Sequence, residues 1–191
     1  MKTFKQFITE SIEFDKDAWL RDYKDIITIN SDGTIDVNGN VNLAVRRLEK
    51  LPFKFGKVTG FFDCSHNNLT SLEGSPRFVG SNFDCYYNDL TTLEGGPEFV
   101  GGYFDCSKNG LTTLKGSPNW VGGYFDCILN KLTSLDYLPE HIRNNIFAGK
   151  RFTKEEVEQA REKAIEKAKQ RKYTKTLSYD DEVEGMGDIF D

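Results

Sequence analysis

Four cysteines are the residues whose type and spacing first suggest chemistry. They are Cys64, Cys85, Cys106 and Cys127, each 21 residues after the one before. Zinc sites usually pair ligands about two to four residues apart, so this spacing argues against a metal site and equally against a redox pair. It predicts one buried thiol per turn of a repeat structure. We therefore expect no bound metal and no cofactor.

Other groups that could catalyse a reaction are scattered. His66 and His141 fall at different positions of the repeat, so they predict neither a metal cluster nor a nucleophilic pair. Every Gly-Gly pair precedes a strand-like segment, whereas a phosphate-binding loop opens a helix. We expect no catalytic residues and therefore a protein that is not an enzyme.

The repeat extends well beyond cysteine. Each cysteine closes a Phe-Asp-Cys tripeptide, and the same 21-residue spacing relates columns of asparagine, leucine, proline and valine. Alternation in the tripeptide predicts a short strand with Phe and Cys inside and Asp outside. A fainter first unit aligns Ile35-Asp36-Val37 with Phe62-Asp63-Cys64, with six extra residues placed at 41–47. We therefore expect about five repeats.

The pattern F-x-C-x-x-N-x-L resembles the leucine-rich repeat, L-x-L-x-x-N-x-L, over residues 33–142. The segment Leu132-Thr133-Ser134-Leu135 is similar to the short bacterial subclass found in secreted effectors. The resemblance implies an α+β repeat protein, a short solenoid with one parallel sheet. Because Gly and Pro interrupt the return segments, we expect an extended convex side and helices only at the ends.

The asparagine column predicts a structural ladder, in which buried side-chain amides bond to neighbouring backbone groups. Its members are Asn67, Asn88, Asn109 and Asn130. Ligand binding by these amides is the alternative.

The outward aspartates predict a surface for a partner. They should lie about 5 Å apart, with tyrosines beside them on the concave face. We expect this face to bind a protein partner, preferably a basic one, since Asp pairs with Lys or Arg and Tyr supplies rigid contact area. Solubility of the face and metal binding by stacked carboxylates are the alternatives. The predicted partner-binding residues are Asp63, Asp84, Asp105, Asp126, Tyr86, Tyr103 and Tyr124, with Asp36 as a further member of the row.

The N-terminus carries a second resemblance. Residues 1–14 have apolar side chains at helical spacing, which predicts an amphipathic helix, and residues 15–32 predict a cap for the solenoid. Residues 1–10 are similar to the capsid-targeting peptide of internal head proteins from T-even-like tailed phages. That resemblance implies cleavage after an L/I-x-E sequence, here Ile8-Thr9-Glu10, so that the mature chain starts at Ser11.

The C-terminal region, residues 143–172, predicts a helical segment. Thr153 and Glu156 have the spacing of a capping box. Residues 151–172 carry eight bases against five acids, which suits either a solvated helix end or binding to nucleic acid. Residues 173–191 are acidic, and we expect disorder there.

Composition sets the remaining expectations. The chain has 191 residues, a net charge of −5 and no apolar run long enough to cross a bilayer. We expect a monomer with no membrane or nucleic-acid partner, located in the host cytoplasm during infection. The expected function is protein–protein interaction as a phage module. The alternative is an internal head protein in the virion interior, delivered with the genome to act on a host target. An effector-type enzyme is the least favoured reading, since only about fifty residues follow the repeats.

Overall fold

The computed structural model describes residues 14–184, with side chains described through residue 171. It is a solenoid in which each turn adds a strand to both of two sheets. Sheet A contains β1 (Ile27–Ile29), β2 (Ile35–Val37), β4 (Phe55–Val58), β6 (Phe78–Val79), β8 (Phe99–Val100), β10 (Trp120–Val121) and β12 (His141–Ile142). Sheet B contains β3 (Val41–Asn42), β5 (Phe62–Asp63), β7 (Phe83–Asp84), β9 (Phe104–Asp105), β11 (Phe125–Asp126) and β13 (Ile146–Phe147).

The core lies between the two sheets and repeats with the sequence. The Phe and Cys side chains of the tripeptides point inward, and Phe62, Phe83 and Phe104 are fully buried. Their rings stack along the solenoid axis, with centroids 5.4 Å and 5.2 Å apart. Both leucine columns and the valine column fill the rest of the interior. Apolar burial of one such layer per turn is the main stabilising contribution.

The predicted extended side is itself a second sheet, sheet A, which is parallel from β2 to β12. Its two-residue strands pair in register from turn to turn, for example Phe78 with Phe99 and Val79 with Val100. The Gly-Gly pairs bring successive turns close together where the chain crosses between sheets. A Cβ built on Gly101 would lie 2.2 Å from the backbone oxygen of Gly80, so only glycine fits there.

The structure corrects the alignment of the first repeat. Val41 pairs with Phe62, and Asn42 pairs with Asp63. The segment that includes Asp36 instead belongs to sheet A, where the Asp36 carboxylate accepts a hydrogen bond from the Lys57 N–H at 2.7 Å. The prediction was wrong because it aligned Ile35-Asp36-Val37 with Phe62-Asp63-Cys64 by residue type and ignored the 21-residue spacing. The 21-residue period holds without an insertion, and sheet B has six strands.

Helix α1 (Lys16–Tyr23) covers the N-terminal end of the solenoid. Asp15 caps it, accepting a hydrogen bond from the Ala18 N–H at 2.8 Å. Trp19 is buried, and its ring lies 4.9 Å from that of Phe53 and 5.9 Å from that of Phe55. Residues 15–23 thus provide a cap, while the predicted helix over residues 1–14 lies almost entirely outside the described residues.

Helix α2 (Lys154–Glu184) covers the other end. The capping box forms, because the Thr153 N–H donates to Glu156 at 2.8 Å and the Glu156 N–H donates to Thr153 at 3.1 Å. Ala164 is buried against the last turns, and Arg161 donates to the backbone oxygen of Ile142 at 2.8 Å. The helix continues past residue 172, so residues 173–184, predicted to be disordered, are helical. Neither α1 nor α2 is long and apolar enough to cross a membrane.

Candidate functional site

The outer face of sheet B carries one carboxylate per turn on four successive strands. We call Asp63, Asp84, Asp105 and Asp126 the acidic row. Aspartates on neighbouring strands pair in register, so each lies one strand spacing, about 4.8 Å, from the next. Asn42 precedes the row on β3, and Phe147 follows it on β13. The structure therefore brings together the four predicted aspartates.

Each carboxylate of the acidic row also has a local structural role. The Asp63 side chain accepts a hydrogen bond from the backbone N–H two residues later at 2.9 Å, and Asp84 does so at 3.0 Å. Asp105 and Asp126 make the same bond at 2.8 Å and 3.0 Å. These bonds hold the chain in an Asx turn as it leaves the strand. The side chains are consequently half-buried, not fully exposed as the alternation pattern predicts.

Burial and repulsion from neighbouring carboxylates disfavour ionisation of two members of the acidic row, Asp84 and Asp126. Desolvation raises the pKa of Asp84 from its ordinary value of 3.8 to about 7, and the charges of Asp105 and Asp63 add to the increase. Desolvation also raises the pKa of Asp126, with a further contribution from Asp105. Asp84 therefore holds a proton at a pH where an isolated carboxyl group would be ionised. A cation placed over it would release that proton.

Tyr103 and Tyr124 border the acidic row on the side where the strands begin. Their rings stack with centroids 4.8 Å apart, and Phe147 meets the Tyr124 ring edge-on at 5.6 Å. Burial and the neighbouring carboxylates raise the pKa of both hydroxyls. These tyrosines thus remain neutral hydrogen-bond donors beside the carboxylates.

A second aromatic cluster borders the row where the strands end, and the sequence analysis identified only Tyr86 of it. Tyr86 shares a short hydrogen bond with the His66 imidazole, and the His66 ring lies 5.0 Å from that of Tyr87. The Lys108 ammonium lies 5.5 Å from the centre of the Tyr86 ring and 5.9 Å from that of Tyr87. These contacts join side chains from three consecutive turns, which no motif in one repeat reveals.

His66, Tyr87 and Lys108 share an unusual backbone conformation. With Val45 and Leu129 they form a column of left-handed residues, at φ of 50° to 57°, one per turn. Gly or Asn would adopt this conformation at lower cost, and a β-branched residue such as Val45 rarely does. Val45 is 73% exposed and Leu129 is 65% exposed. The column therefore presents large side chains to solvent from strained positions.

The asparagine column lies behind these positions and links neighbouring turns. The Asn109 side chain accepts a hydrogen bond from the Leu90 N–H at 3.1 Å and donates to the backbone oxygens of Cys85 and Cys106 at 3.1 Å. Asn67 and Asn88 make equivalent bonds and are buried, and Asn130 bonds in the same way. The side-chain amides thus make their hydrogen bonds with backbone groups, which supports the predicted structural ladder over ligand binding.

The cysteines are free thiols buried in the core. Desolvation raises the pKa of Cys64, Cys85 and Cys106 well above the usual value and that of Cys127 to about 12. Such thiols stay protonated, which disfavours both nucleophilic attack and metal ligation. Among the described residues, no group of His, Cys, Asp and Glu could hold a metal ion.

Sheet A carries an aromatic column that was not predicted from the sequence. Phe78 and Phe99 stack with centroids 4.9 Å apart, Trp120 lies 6.1 Å from Phe99, and His141 stacks on Trp120 at 3.6 Å. The 21-residue spacing of Phe78, Phe99 and Trp120 was the available signal. Because the rings cover one another's faces, only their edges are open to a ligand.

The predicted processing residues Ile8, Glu10 and Ser11 lie outside the described residues. Comparison with protein-family models, curated proteins and solved structures found no match to the chain. The assignment of function therefore depends on the chemistry of the acidic row and its bordering tyrosines.

Proposed function

We propose that this protein is a non-enzymatic interaction module of a phage, of the leucine-rich-repeat type. It binds a basic segment of a protein partner on the outer face of sheet B, the face predicted to be concave. The acidic row provides the charge, and Tyr86, Tyr103 and Tyr124 provide contact area. The mechanism is recognition by a rigid surface, since every turn is fixed to the next by strand pairing and by the asparagine column.

The observation that carries this proposal is the hydrogen bond made by Asn42. Its side-chain oxygen accepts from the Ala44 N–H at 3.0 Å, which is the bond that the aspartates make one to four turns later. A neutral amide therefore satisfies the turn. Four carboxylates at the same position repel one another, by about 1 kcal/mol per neighbouring pair in water. Their charge exceeds what the fold requires, which favours a role in binding.

The tyrosines fit the same partner. Lys108 shows that an ammonium group can lie against the Tyr86 and Tyr87 rings, and a lysine or arginine of the partner can use the same attraction. Tyr103 and Tyr124 offer ring edges and hydroxyl donors next to the carboxylates. An extended basic segment that crosses the acidic row would therefore meet aromatic groups on both sides.

Nucleic acid fits this face poorly, because carboxylates repel phosphate. Two bases of α2 also form ion pairs with the solenoid: Lys163 pairs with Asp136 at 2.8 Å, and Arg171 pairs with Glu140 at 2.5 Å. These contacts support the reading of α2 as a cap rather than as a DNA-binding helix.

The test is binding of a fluorescent lysine-rich peptide of about twelve residues at low ionic strength and about pH 8, where Asp84, with a pKa of about 7, is largely ionised. The double variant Asp84→Asn/Asp105→Asn keeps the side-chain oxygens that accept the turn hydrogen bonds but removes two charges. We expect affinity to fall about tenfold or more. The matched control, Glu73→Gln/Asp89→Asn, removes two exposed charges elsewhere on the solenoid and should leave affinity nearly unchanged. Equal losses in both would leave only a net-charge effect and refute the proposal.

The biological partner requires a second experiment. Pull-downs from infected cells with wild type and with Asp84→Lys/Asp105→Lys should differ in a specific protein carrying a basic segment. The host cytoplasm during infection is the proposed location of this encounter. If the charge-reversed protein captures the same proteins as wild type, the outer face of sheet B is not the binding surface.

The second candidate function is an internal head protein of the virion. The resemblance of residues 1–10 to a capsid-targeting peptide supports it. Mass spectrometry of purified virions tests it: a peptide starting at Ser11 is the expected product. Absence of the protein from virions would refute packaging, and an intact Met1 in virions would refute cleavage.

A further inference from the structure

One edge of β1, the first strand of sheet A, is free of any strand within residues 14–184, and we call it the free edge. β1 pairs with β2 in antiparallel fashion, and no other described strand pairs with it. The Asn38 N–H donates to the Ile26 oxygen, and the Asn30 N–H donates to the Thr34 oxygen. Antiparallel pairs alternate between bonded and non-bonded positions. The backbone N–H and C=O groups of Ile27 and Ile29 therefore point away from β2.

The free edge of β1 is also apolar. Ile29 lies opposite Ile35, which is buried, yet Ile29 is 67% exposed. The strand, Ile27-Thr28-Ile29, contains none of the lysines or prolines that usually protect an edge from pairing. An added strand would bury Ile29 and satisfy the outward backbone groups at once.

Two other strand edges in this fold do have cover. Arg161 donates to the Ile142 oxygen on β12, the opposite edge of sheet A. The Asn42 N–H on β3 donates to the Tyr23 hydroxyl at 3.4 Å. Side chains of the two cap helices thus occupy the edges of β12 and β3. The free edge of β1, which no strand of the described part of the chain covers, contrasts with this arrangement.

We propose that β1 pairs with β1 of a second copy of this chain, antiparallel and with the two-fold axis at Thr28. In this register Ile27 of one copy faces Ile29 of the other, and these two bonded pairs exchange four backbone hydrogen bonds. The same surface serves both copies, as a closed two-fold dimer requires. This dimer replaces the monomer expected from the sequence, and it does not involve the acidic row.

Charge supports a second copy as the occupant. With Thr28 on the axis, Lys24 precedes it by four residues and Asp32 follows it by four, so Lys24 of one copy and Asp32 of the other lie at the same end of the paired strands. Both residues are exposed. Hydrogen bonds from Thr34 hold the pKa of Asp32 below its ordinary value, so this carboxylate stays ionised at neutral pH. The dimer would carry this attraction twice. Pairing of β1 in the opposite, parallel direction would not bring these charges together.

A disulfide test reports the register directly. Thr28 would face its own copy across the axis in a non-bonded pair, with Cα atoms about 4.5 Å apart, within disulfide range. Thr28→Cys should therefore give a covalent dimer on mild oxidation in the full-length protein. Ile29→Cys is the matched control, since its own copies would be more than about 7 Å apart and should cross-link far less. The four native thiols are buried and do not compete.

Light scattering of the full-length chain tests the equilibrium. We expect a mass that rises with concentration towards twice 21.8 kDa. Ile29→Pro removes an outward N–H that β2 does not use, and Ile29→Lys adds a charge at the edge; both should dissociate the dimer. Leu129→Lys, the same change at a residue 65% exposed, should not. The proposal would be overturned if the protein were monomeric at all concentrations and Thr28→Cys formed no cross-link. This holds whether solvent or residues 1–13 occupy the edge. A dimer insensitive to both Ile29 variants would also overturn it.

Discussion

Asp84 and Asp105 lie directly opposite each other on neighbouring strands of sheet B, and each carboxylate accepts a hydrogen bond from the N–H two residues ahead. Each carboxylate thus fixes its own Asx turn and repels the carboxylate of the next repeat. Asn42, one turn before Asp63, makes the bond without the charge. The acidic row is therefore a place where stability and binding can be separated by experiment.

Replacing Asp84 by Asn should stabilise the protein near neutral pH. The folded pKa of Asp84 is raised from 3.8 to about 7, so between these values the folded protein holds a proton that the unfolded chain has released. Stability consequently falls as pH rises through this window. We expect Asp84→Asn to raise the free energy of unfolding at pH 7.5 by about 1–2 kcal/mol, allowing for solvent screening, and to flatten its pH dependence.

Urea denaturation of both proteins at pH 4, 5.5 and 7.5 measures this effect. Glu73→Gln serves as the control, because it removes one exposed charge outside the row. A variant that is less stable than wild type at pH 7.5 would show that the carboxylate charge supports the turn.

Replacing Asn109 by Ala should destabilise the solenoid by about 1–3 kcal/mol, because it leaves the Leu90 N–H and the oxygens of Cys85 and Cys106 without this partner. Thermal denaturation measures the loss. Asn119→Ala, at an exposed asparagine immediately before β10, is the control and should be nearly neutral. An unchanged melting temperature for Asn109→Ala would exclude a structural role for the amide.

Replacing Val45 by Asn should stabilise the protein by about 1 kcal/mol. Val45 adopts φ of 57° and is 73% exposed, so the change relieves backbone strain and removes little packing. Val45→Ala is the informative control, since Ala keeps most of the strain and should change stability less. Chemical denaturation compares the three proteins. A loss of stability in Val45→Asn would mean that the exposed side chain makes stabilising contacts.

Alkylation of the thiols should require unfolding. Burial raises the pKa of Cys106 well above its usual value, and only the thiolate reacts readily. In the native protein we expect iodoacetamide to label none of the four cysteines at pH 8 within the time that labels all four in urea. An Asn119→Cys variant provides an exposed thiol as a positive control. Rapid native labelling of Cys106 would indicate local opening of the core.

Most of the fold was accessible from the sequence, because the 21-residue spacing assigns each column to the core or the surface. Phe62 and Cys64 could be placed inside by alternation, and Leu69 by its place in a leucine column of the repeat. The first turn was misaligned because Asp36 matched the tripeptide by residue type, whereas Asn42 matched by spacing. In repeats the spacing is the stronger signal, since each turn must place its strand beside the last one.

The candidate site was only partly accessible. The acidic row, Tyr103 and Tyr124 follow from column assignments. The cluster of His66, Tyr87 and Lys108 did not, because a left-handed backbone position cannot be inferred from residues that normally avoid it. The free edge of β1 was equally hidden, because the sequence does not tell which end of a sheet a helix will cover.

By itself, the sequence determined the period of this protein, the inward Phe, Cys and Leu columns and the outward acidic row. These properties are local: they follow from alternation within a strand and from repetition every 21 residues. Only the tertiary structure decided that the return segments form a second sheet, that the carboxylates are half-buried with the pKa of Asp84 raised, and that no described strand pairs with the outer edge of β1. Those properties depend on distances between turns and on what the caps cover, which are set by packing of the whole chain.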